Sequence, residues 1–230
     1  MEKLPENIIL IDKPVGITSF DCIRRLRRVL GIKKMGHAGT LDPLASGLMI
    51  IGVGKKGTRA LNQFKGAEKT YQVRALFGKK TDTGDTDGQI VEEVEVDNIS
   101  FEDVEKALSN MLGENLLPVP IYSAIKKEGK PLYWYARKGL NVEIPEKEMS
   151  VKEASLSRVY EENGELLADL FMTVSSGAYV RSLVEELGRR LSSLATVSAL
   201  RRTKIDDISV DRAFSLEEAN LEKLSVNISD

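Results

Sequence analysis

A glycine-bounded loop that leads directly into an apolar run constrains the fold of this chain more than any other feature. Residues 36–47 read GHAGTLDPLASG and contain the only histidine, His37, and a carboxylate backed by proline, Asp42. Residues 48–53 are apolar and end in glycine, which predicts a short buried strand. Polar catalytic groups tend to lie in loops anchored to a rigid scaffold, so we expect any chemistry in this loop.

The composition limits the class of protein. The 230 residues are 42% hydrophobic and 30% charged, which is typical of a globular chain. No apolar run approaches the ~20 residues that a membrane span needs, and the N-terminus has no secretory pattern. A single cysteine, Cys22, excludes an internal disulfide framework. We therefore expect a cytoplasmic protein that does not contact membranes.

The charge pattern requires any nucleic-acid binding to be local, because the net charge is −2. After a first strand at residues 7–13, Thr18 or Ser19 is predicted to cap a helix that stops at Gly31. Four arginines occupy one side of that helix. They indicate either a solvated face or a face that lies against phosphates.

Later segments predict a mixture of strands and helices. Alternating residues predict strands at 69–78 and 89–96 and a hairpin around Asn163-Gly164, and Ser100 is predicted to cap another helix. A glycine turn at 175–177 opens a further helix that carries Arg181 near its positive end, which hints at an anionic partner. The segment from Leu194 to Leu200 is predicted to be followed by a basic turn at 201–203.

Two motifs suggest ligands but fit them poorly. Residues 52–57 form a literal GxGxxG, and a helix is predicted after it from Thr58, yet this helix is too short for a dinucleotide-binding crossover. Residues 81–88 resemble a calcium loop, but Val94 stands where the bidentate glutamate belongs. A polar loop between strands is the better interpretation of the second motif.

The segment from 117 to 145 differs in composition from the rest of the chain. Four prolines punctuate tyrosines and the only tryptophan, Trp134, among lysines and arginines. Aromatic rings between cations suit single-stranded or flipped RNA, because bases stack on rings while cations hold phosphates. A proline-rich connector whose rings pack on the core explains the composition equally well.

Seven motifs in this order resemble the TruB family of tRNA pseudouridine synthases, and the resemblance spans nearly the whole chain. They lie at residues 13–19, 36–47, 69–71, 81–85, 123–139, 177–181 and 200–203. The resemblance implies an α/β pseudouridine synthase fold with a central mixed, mostly antiparallel sheet flanked by helices. It also implies an isomerase that moves the glycosidic bond of a uridine in RNA from N1 to C5, without cofactor or metal.

The resemblance assigns roles to individual residues. Asp42 would be the catalytic carboxylate, either as nucleophile on the sugar or as base at C2′. Arg181 would be its ion-pair partner, and Tyr71 would stack on the target base and take part in proton transfer at C5. His37 would help to hold the flipped nucleotide. The remaining implied substrate-binding or buttressing residues are Lys13, Pro14, Leu200, Lys126 and Tyr179.

The implied substrate is the T stem-loop of tRNA, whose uridine 55 must be everted to reach Asp42. Residues 117–147 would be a mobile insertion clamped on the RNA. We expect a monomeric, single catalytic domain over 1–230 without a C-terminal RNA-binding appendage, and hence a reduced RNA footprint. Ser176 stands where many relatives have lysine, which could weaken one backbone contact. The alternatives are a non-catalytic tRNA-binding or folding protein and, from the GxGxxG motif, a nucleotide-dependent oxidoreductase.

Overall fold

The computed structural model describes residues 4–96, 98–220 and 224, which divide into two compact units. Unit 1 extends to Gln72 and resumes at Leu200, and unit 2 is Val73–Ala199. The expected single domain over 1–230 includes residues outside the described ones at both ends and at 97, and it stays a prediction.

The described elements are numbered in chain order. The helices are α1 (Ser19–Leu30), α2 (Gly54–Ala60), α3 (Phe101–Ser109), α4 (Leu132–Arg137) and α5 (Val180–Arg190), with 3₁₀ turns at Leu61–Phe64 and Val210–Arg212. The strands are β1 (Ile8–Lys13), β2 (Met35–Ala38), β3 (Ala45–Val53), β4 (Lys69–Phe77), β5 (Lys79–Thr81), β6 (Ile90–Glu93), β7 (Gly113–Pro118), β8 (Lys126–Lys127), β9 (Lys130–Pro131), β10 (Glu146–Glu162), β11 (Glu165–Val174), β12 (Ala195–Ile205), β13 (Ile208–Ser209) and β14 (Phe214–Ser215).

Ten of the described strands belong to a large mixed sheet, which confirms the predicted α/β fold class, while β5 pairs with β6 and β8 with β9 in two-stranded sheets. In unit 1 the order is β14-β1-β3-β12, in which β1 and β3 are antiparallel and the two outer pairings are parallel. In unit 2 the order is β4-β11-β10-β7, and β7, β10 and β11 pair antiparallel. None of the described helices has the length and apolar content to cross a membrane.

Helix α1 forms where its capping residues predict it. The Thr18 hydroxyl accepts a hydrogen bond from the Asp21 N–H, and the Thr18 N–H donates one to the Asp21 carboxylate. Gly31 ends the helix in a left-handed conformation. Cys22, Ile23 and Leu26 are buried on its inner face. The predicted start and stop of this helix are confirmed.

Two glycines of the GxGxxG motif, Gly52 and Gly57, allow close packing between α2 and β3. The helix starts at Gly54, so the prediction of a start at Thr58 was wrong. A Cβ on Gly57 would lie 2.2 Å from the Asn7 carbonyl oxygen, and one on Gly52 would lie 2.4 Å from the Gly57 carbonyl oxygen. Only glycine allows the helix backbone to approach the strand this closely.

The hairpin predicted around Asn163-Gly164 is confirmed. Strands β10 and β11 pair up to Glu162 and Glu165, and both central residues of the turn have positive φ, 54° at Asn163 and 77° at Gly164. These angles suit a type I′ turn, whose twist matches that of the flanking strands. The predicted strand at 89–96 is shorter than expected, since β6 covers only Ile90–Glu93.

The basic turn predicted at 201–203 does not exist, because these residues continue β12. Arg201 pairs bidentately with Asp12, with nitrogen–oxygen distances of 2.6 and 3.0 Å, and Arg202 turns inward to backbone carbonyls. Each arginine therefore has a partner in unit 1, and the run of basic residues is compatible with a strand inside the sheet.

Candidate active site

The predicted site residues fall into both units. Unit 1 contains six of them: Lys13, Pro14, His37, Asp42, Tyr71 and Leu200. Unit 2 contains the other three: Lys126, Tyr179 and Arg181.

Lys13 holds the first turn against the residue that follows Asp42. Its side chain is fully buried at the end of β1, and Nζ donates to the carbonyl oxygens of Pro14 at 2.9 Å, Ile17 at 2.7 Å and Pro43 at 3.5 Å. Burial lowers the pKa of this lysine, and the nearby Asp42 charge acts in the opposite direction. A buried ammonium needs such acceptors, so the turn must stay closed around it.

The backbone is fixed on both sides of Asp42. The Ser19 hydroxyl accepts from the Leu41 N–H at 2.8 Å and donates to the Leu41 carbonyl at 3.0 Å. The Gly16 N–H donates to the Pro43 carbonyl at 2.8 Å, and the Ala45 N–H closes a turn on the Asp42 carbonyl at 3.1 Å. The carboxylate is therefore carried on a backbone segment that has little freedom to move.

Arg202 fastens the same loop from inside unit 1, a role that its sequence motif did not indicate. It is 1% exposed, and its guanidinium donates to the carbonyl oxygens of Leu48 at 2.8 Å, Gly39 at 3.2 Å and Thr40 at 3.5 Å. A Cβ on Gly47 would lie 2.2 Å from the Arg202 carbonyl oxygen, which explains the glycine that ends the loop.

His37 lies on β2 with its imidazole Nδ1 buried and no hydrogen-bond partner for that atom among the described residues. Burial lowers the pKa of His37, and the Arg202 charge lowers it further. The imidazole is therefore neutral at physiological pH, where it can accept or donate one hydrogen bond but carries no charge to a phosphate.

Leu200 and Tyr71 complete the predicted residues of unit 1. Leu200 pairs with Ala45 in the parallel register of β12 and β3, so it lies beside the C-terminal end of the Asp42 loop. Tyr71 is 7% exposed on β4. Pro14 is exposed in the turn that Lys13 closes.

Arg181 is the second residue of α5 and is buried among acceptors of unit 2. It donates to the Thr83 carbonyl at 2.6 Å and the Tyr122 carbonyl at 3.1 Å, and its Nε lies 3.8 Å from the Asp85 carboxylate. Asp85 is 5% exposed and is a further functional candidate. The motif at 81–85 contains it, but no role was predicted for it from the sequence. An anionic partner near this arginine was predicted from its position in the helix.

One end of the insertion is hydrogen-bonded to α5 and the other to the turn that precedes it. The Ser182 hydroxyl donates to the Pro118 carbonyl at 2.7 Å, and Lys147 Nζ donates to the Gly177 carbonyl at 2.8 Å. The same ammonium lies 5.9 Å from the centre of the Tyr179 ring. Lys147 was not singled out from the sequence, and it borders the glycine that follows Ser176.

Within the insertion, cations lie over aromatic rings. Lys130 and Lys138 lie 3.8 and 5.2 Å from the centre of the Trp134 ring, and Arg137 lies 5.4 Å from that of Tyr133. Lys126 is exposed on β8. Much of this aromatic surface is therefore packed by cations of the same segment, an arrangement that neither interpretation of the composition anticipated.

No group of three or more metal-ligating side chains among the described residues could hold a metal ion. The polar side chains next to Asp42 are those of Lys13, Ser19 and Arg202, and they form hydrogen bonds with backbone groups of the loop.

Comparison with known proteins identifies the family. A family model described as TruB family pseudouridylate synthase (N terminal domain) matches residues 27–180. The tRNA pseudouridine synthase B of Desulfotalea psychrophila is 40% identical over 213 residues, which are 90% of this chain and 85% of the relative. That of Bacillus subtilis is 37% identical over 225 residues, which are 97% of this chain and 72% of the relative.

Solved structures show the same fold. A chain of a Cbf5-Nop10-Gar1 complex matches 91% of this chain with a TM-score of 0.66 and 22% identity, and one from an H/ACA RNP bound to a substrate RNA containing 2'-deoxyuridine matches with a TM-score of 0.65 and 21% identity. This chain spans about half the length of those two. At such identities the likeness concerns the fold alone, whereas the sequence relatives are similar over most of their length. The chain belongs to the TruB family of pseudouridylate synthases, as its motifs indicated.

Proposed function

We propose that this chain converts uridine to pseudouridine in tRNA, at position 55 of the T arm, with Asp42 as the catalytic carboxylate. The family and the relatives named tRNA pseudouridine synthase B support the reaction and the class of RNA. The resemblance of the motifs at 36–47 and 177–181 supports the choice of target and of residues.

The observation that carries the proposal is the fixed backbone around Asp42. Ser19, Gly16 and Lys13 hold the residues on either side of it, and Arg202 holds the loop from its other side. Preorganisation of this kind is what catalysis by a single carboxylate requires, because the enzyme then spends little free energy on orienting the group during the reaction.

The chemistry needs no second substrate. The N1–C1′ bond breaks, the base turns within the site, C5 bonds to C1′, and the C5 proton is lost while N1 gains one. Positive charge develops on the ribose during cleavage, so a carboxylate that faces the sugar stabilises it. Asp42 acts either as nucleophile on the sugar or as base at C2′, and both routes give the same isomer.

The remaining residues bind and orient the nucleotide. In this proposal Arg181 serves as the cationic partner of Asp42, and Tyr71 stacks on the base and takes part in proton transfer at C5. His37, uncharged at neutral pH, holds the everted nucleotide through hydrogen bonding and packing. Other substrate-binding or buttressing positions are Lys13, Pro14, Leu200, Lys126 and Tyr179.

The uridine must leave the folded T arm to reach the site, and residues 117–147 clamp the RNA while it does so. The exposed cations of this insertion support that role, as do the hydrogen bonds that tie its two ends to α5 and to the turn that precedes it. We also propose that the protein acts as a monomer in the cytoplasm, which light scattering of the purified chain and fractionation of cells would test.

The test is tritium release from a tRNA transcript labelled at C5 of its uridines, measured for the wild type, Asp42→Asn and a matched control, Asp207→Asn. Asp207 is exposed and has no hydrogen bond or ion pair among the described residues. Release by the wild type and the control but not by Asp42→Asn supports the proposal. Release by Asp42→Asn at the wild-type rate removes Asp42 from the chemistry.

The second candidate function is a non-catalytic tRNA-binding or folding protein that retains the pocket. This function would be indicated by tight binding of the same transcript with no tritium release by any of the three proteins.

A further experiment tests the T-arm target. A transcript that carries cytidine at position 55 is the control, and loss of tritium release from it shows that the tritium comes from uridine 55 and not from other uridines.

A further inference from the structure

Helix α1 begins at the candidate active site. Ser19, its first residue, makes two hydrogen bonds to Leu41, the neighbour of Asp42. The helix has 12 residues and is therefore about 18 Å long at 1.5 Å per residue. Side chains on its outer face consequently lie within one to three helical turns of the segment that carries the catalytic carboxylate.

The outer face of α1 and the residues just after it are strongly basic. Residues 19–34 contain six lysines and arginines and one acid, Asp21, although the whole chain has a net charge of −2. Asp21 is occupied by Thr18 and Arg24. Arg25 and Arg28 are exposed, one helical turn apart, and have no carboxylate within 4 Å in the described part of the chain.

Helix stability explains only part of this charge. Arg27 and Arg28 lie in the last turn, where the helix dipole favours cations. Arg24 and Arg25 lie before that turn, and a second positive charge beside Arg28 repels it. Neutralising partners would be expected if the face had only to stabilise the fold.

An exposed aromatic ring orders part of this surface. Phe20 is 54% exposed, and the guanidinium groups of Arg27 and Arg24 lie 5.5 and 6.0 Å from the centre of its ring. The Nε of Arg27 is buried and has no hydrogen-bond partner among the described residues. A guanidinium packed on a ring loses less conformational entropy when its N–H groups meet a phosphate, because its plane is already set.

We propose that the outer face of α1, formed by Phe20, Arg24, Arg25, Arg27 and Arg28, binds the RNA phosphate backbone next to the target nucleotide. The proposal rests on the proposed function, which makes RNA the substrate. The face is strongly basic, so a polyanion is the partner that complements its charge. The hydrogen bonds between Ser19 and Leu41 hold α1 next to the Asp42 loop, so a polyanion on this face lies beside the reacting nucleotide. RNA whose uridine lies at Asp42 is the polyanion that meets both conditions.

The experiment measures the Kd of an unmodified tRNA transcript by fluorescence anisotropy at several salt concentrations. Arg25→Gln/Arg28→Gln should raise Kd roughly tenfold near physiological salt and reduce the slope of log Kd against log salt by about 1.5, as expected when two phosphate contacts are lost. Arg25→Lys/Arg28→Lys keeps the charges and should keep most of the slope.

A matched pair of neutralisations controls for the overall charge. Lys55→Gln/Lys65→Gln removes two exposed lysines of unit 1 that lie outside α1, and it should change Kd less than twofold. If both double variants change Kd and slope equally, or if the α1 variant binds like the wild type, the proposal is overturned. Thermal melting of each variant separates lost binding from lost folding.

Anisotropy reports formation of the complex and not tritium release, so the comparison of Kd values does not depend on the chemistry. A wild type that binds the transcript through α1 but releases no tritium would overturn the proposed enzyme and support the α1 face. Normal tritium release together with an unchanged Kd in the Arg25→Gln/Arg28→Gln variant would support the proposed enzyme and overturn the role of the α1 face.

Discussion

The loop that carries Asp42 and the insertion at 117–147 both depend on lysine and arginine, but they use these side chains in opposite ways. Behind the loop, Lys13 and Arg202 are buried and donate hydrogen bonds to backbone carbonyls. In the insertion, Lys130 and Lys138 lie at the surface against the ring of Trp134.

The difference shows how the same residue types can be buried to hold the backbone in one region and exposed over aromatic rings in another. A cation without water must be matched by acceptors, so each buried one locks several carbonyls into a single arrangement. An exposed cation over a ring keeps its hydration and can turn toward a phosphate at small cost. The loop is therefore built for fixed geometry, whereas the insertion keeps exposed cations, as the proposed RNA clamp requires.

The largest expected effect lies inside the loop. Asp42→Ala should leave no measurable turnover, because no other described carboxylate is held in that loop. His37→Ala should keep measurable turnover, because a neutral imidazole that orients the nucleotide is not the group that reacts. Single-turnover tritium release at saturating tRNA measures both. Equal loss in the two variants would contradict the division of roles between Asp42 and His37.

The next largest effect is on stability. Arg202→Met leaves three carbonyls without their donor and should lower the free energy of unfolding by about 3 kcal/mol, which corresponds to roughly 6–12 °C in Tm for a chain of this size. Lys13→Met should behave similarly for the same reason. Thermal melting followed by circular dichroism is the measurement.

The matched control for these variants is Lys130→Met, which should leave Tm within about 2 °C because the side chain is exposed. If Lys130→Met proves as damaging as Arg202→Met, the contrast between buried and exposed cations does not hold. Arg202→Lys should recover only part of the stability, since one ammonium cannot replace the spread of a guanidinium over three carbonyls.

A smaller effect is expected on RNA affinity from the insertion. Lys130→Gln/Lys138→Gln should raise the Kd for tRNA by a factor of about 5–20 and flatten its salt dependence, with Tm unchanged. Filter binding across a salt series is the measurement. Unchanged affinity together with a lowered Tm would mean that the rings and cations serve packing, which was the other interpretation of this segment.

The smallest effect concerns the protonation of His37. Because it is the only histidine, its ring protons are unambiguous in a proton NMR titration, and its pKa should lie below that of an ordinary histidine. Unfolding in urea should restore the ordinary pKa. The unfolded chain then takes up this proton more readily than the folded one, so this group lowers stability as pH falls through the ordinary histidine range. A normal or raised pKa in the folded protein would show that the imidazole is not desolvated.

Local signals predicted much of the fold. The caps at Thr18 and Gly31 bounded α1, and Asn163-Gly164 placed the turn between β10 and β11. The prediction failed for the helix start at Gly54 and for the basic run at 201–203. In both cases the deciding contact lies far along the chain, at Asn7 for α2 and at Asp12 for Arg201.

The same division holds for the candidate site. Asp42 and His37 could be named from the sequence because unusual residue types stand together in one glycine-bounded loop. Arg202, Asp85 and Lys147 could not, since nothing in a run of charged residues tells which member turns inward.

The sequence by itself determined the local elements, the family and the position of the candidate carboxylate, because capping, turn chemistry and ordered motifs act over a few residues. Only the tertiary structure decided which cations are buried and what they hold. Lysine and arginine are normally exposed, and their burial depends on acceptors that the fold brings together. Leu48 and Arg202 are 154 positions apart, and no local rule connects a guanidinium to that carbonyl.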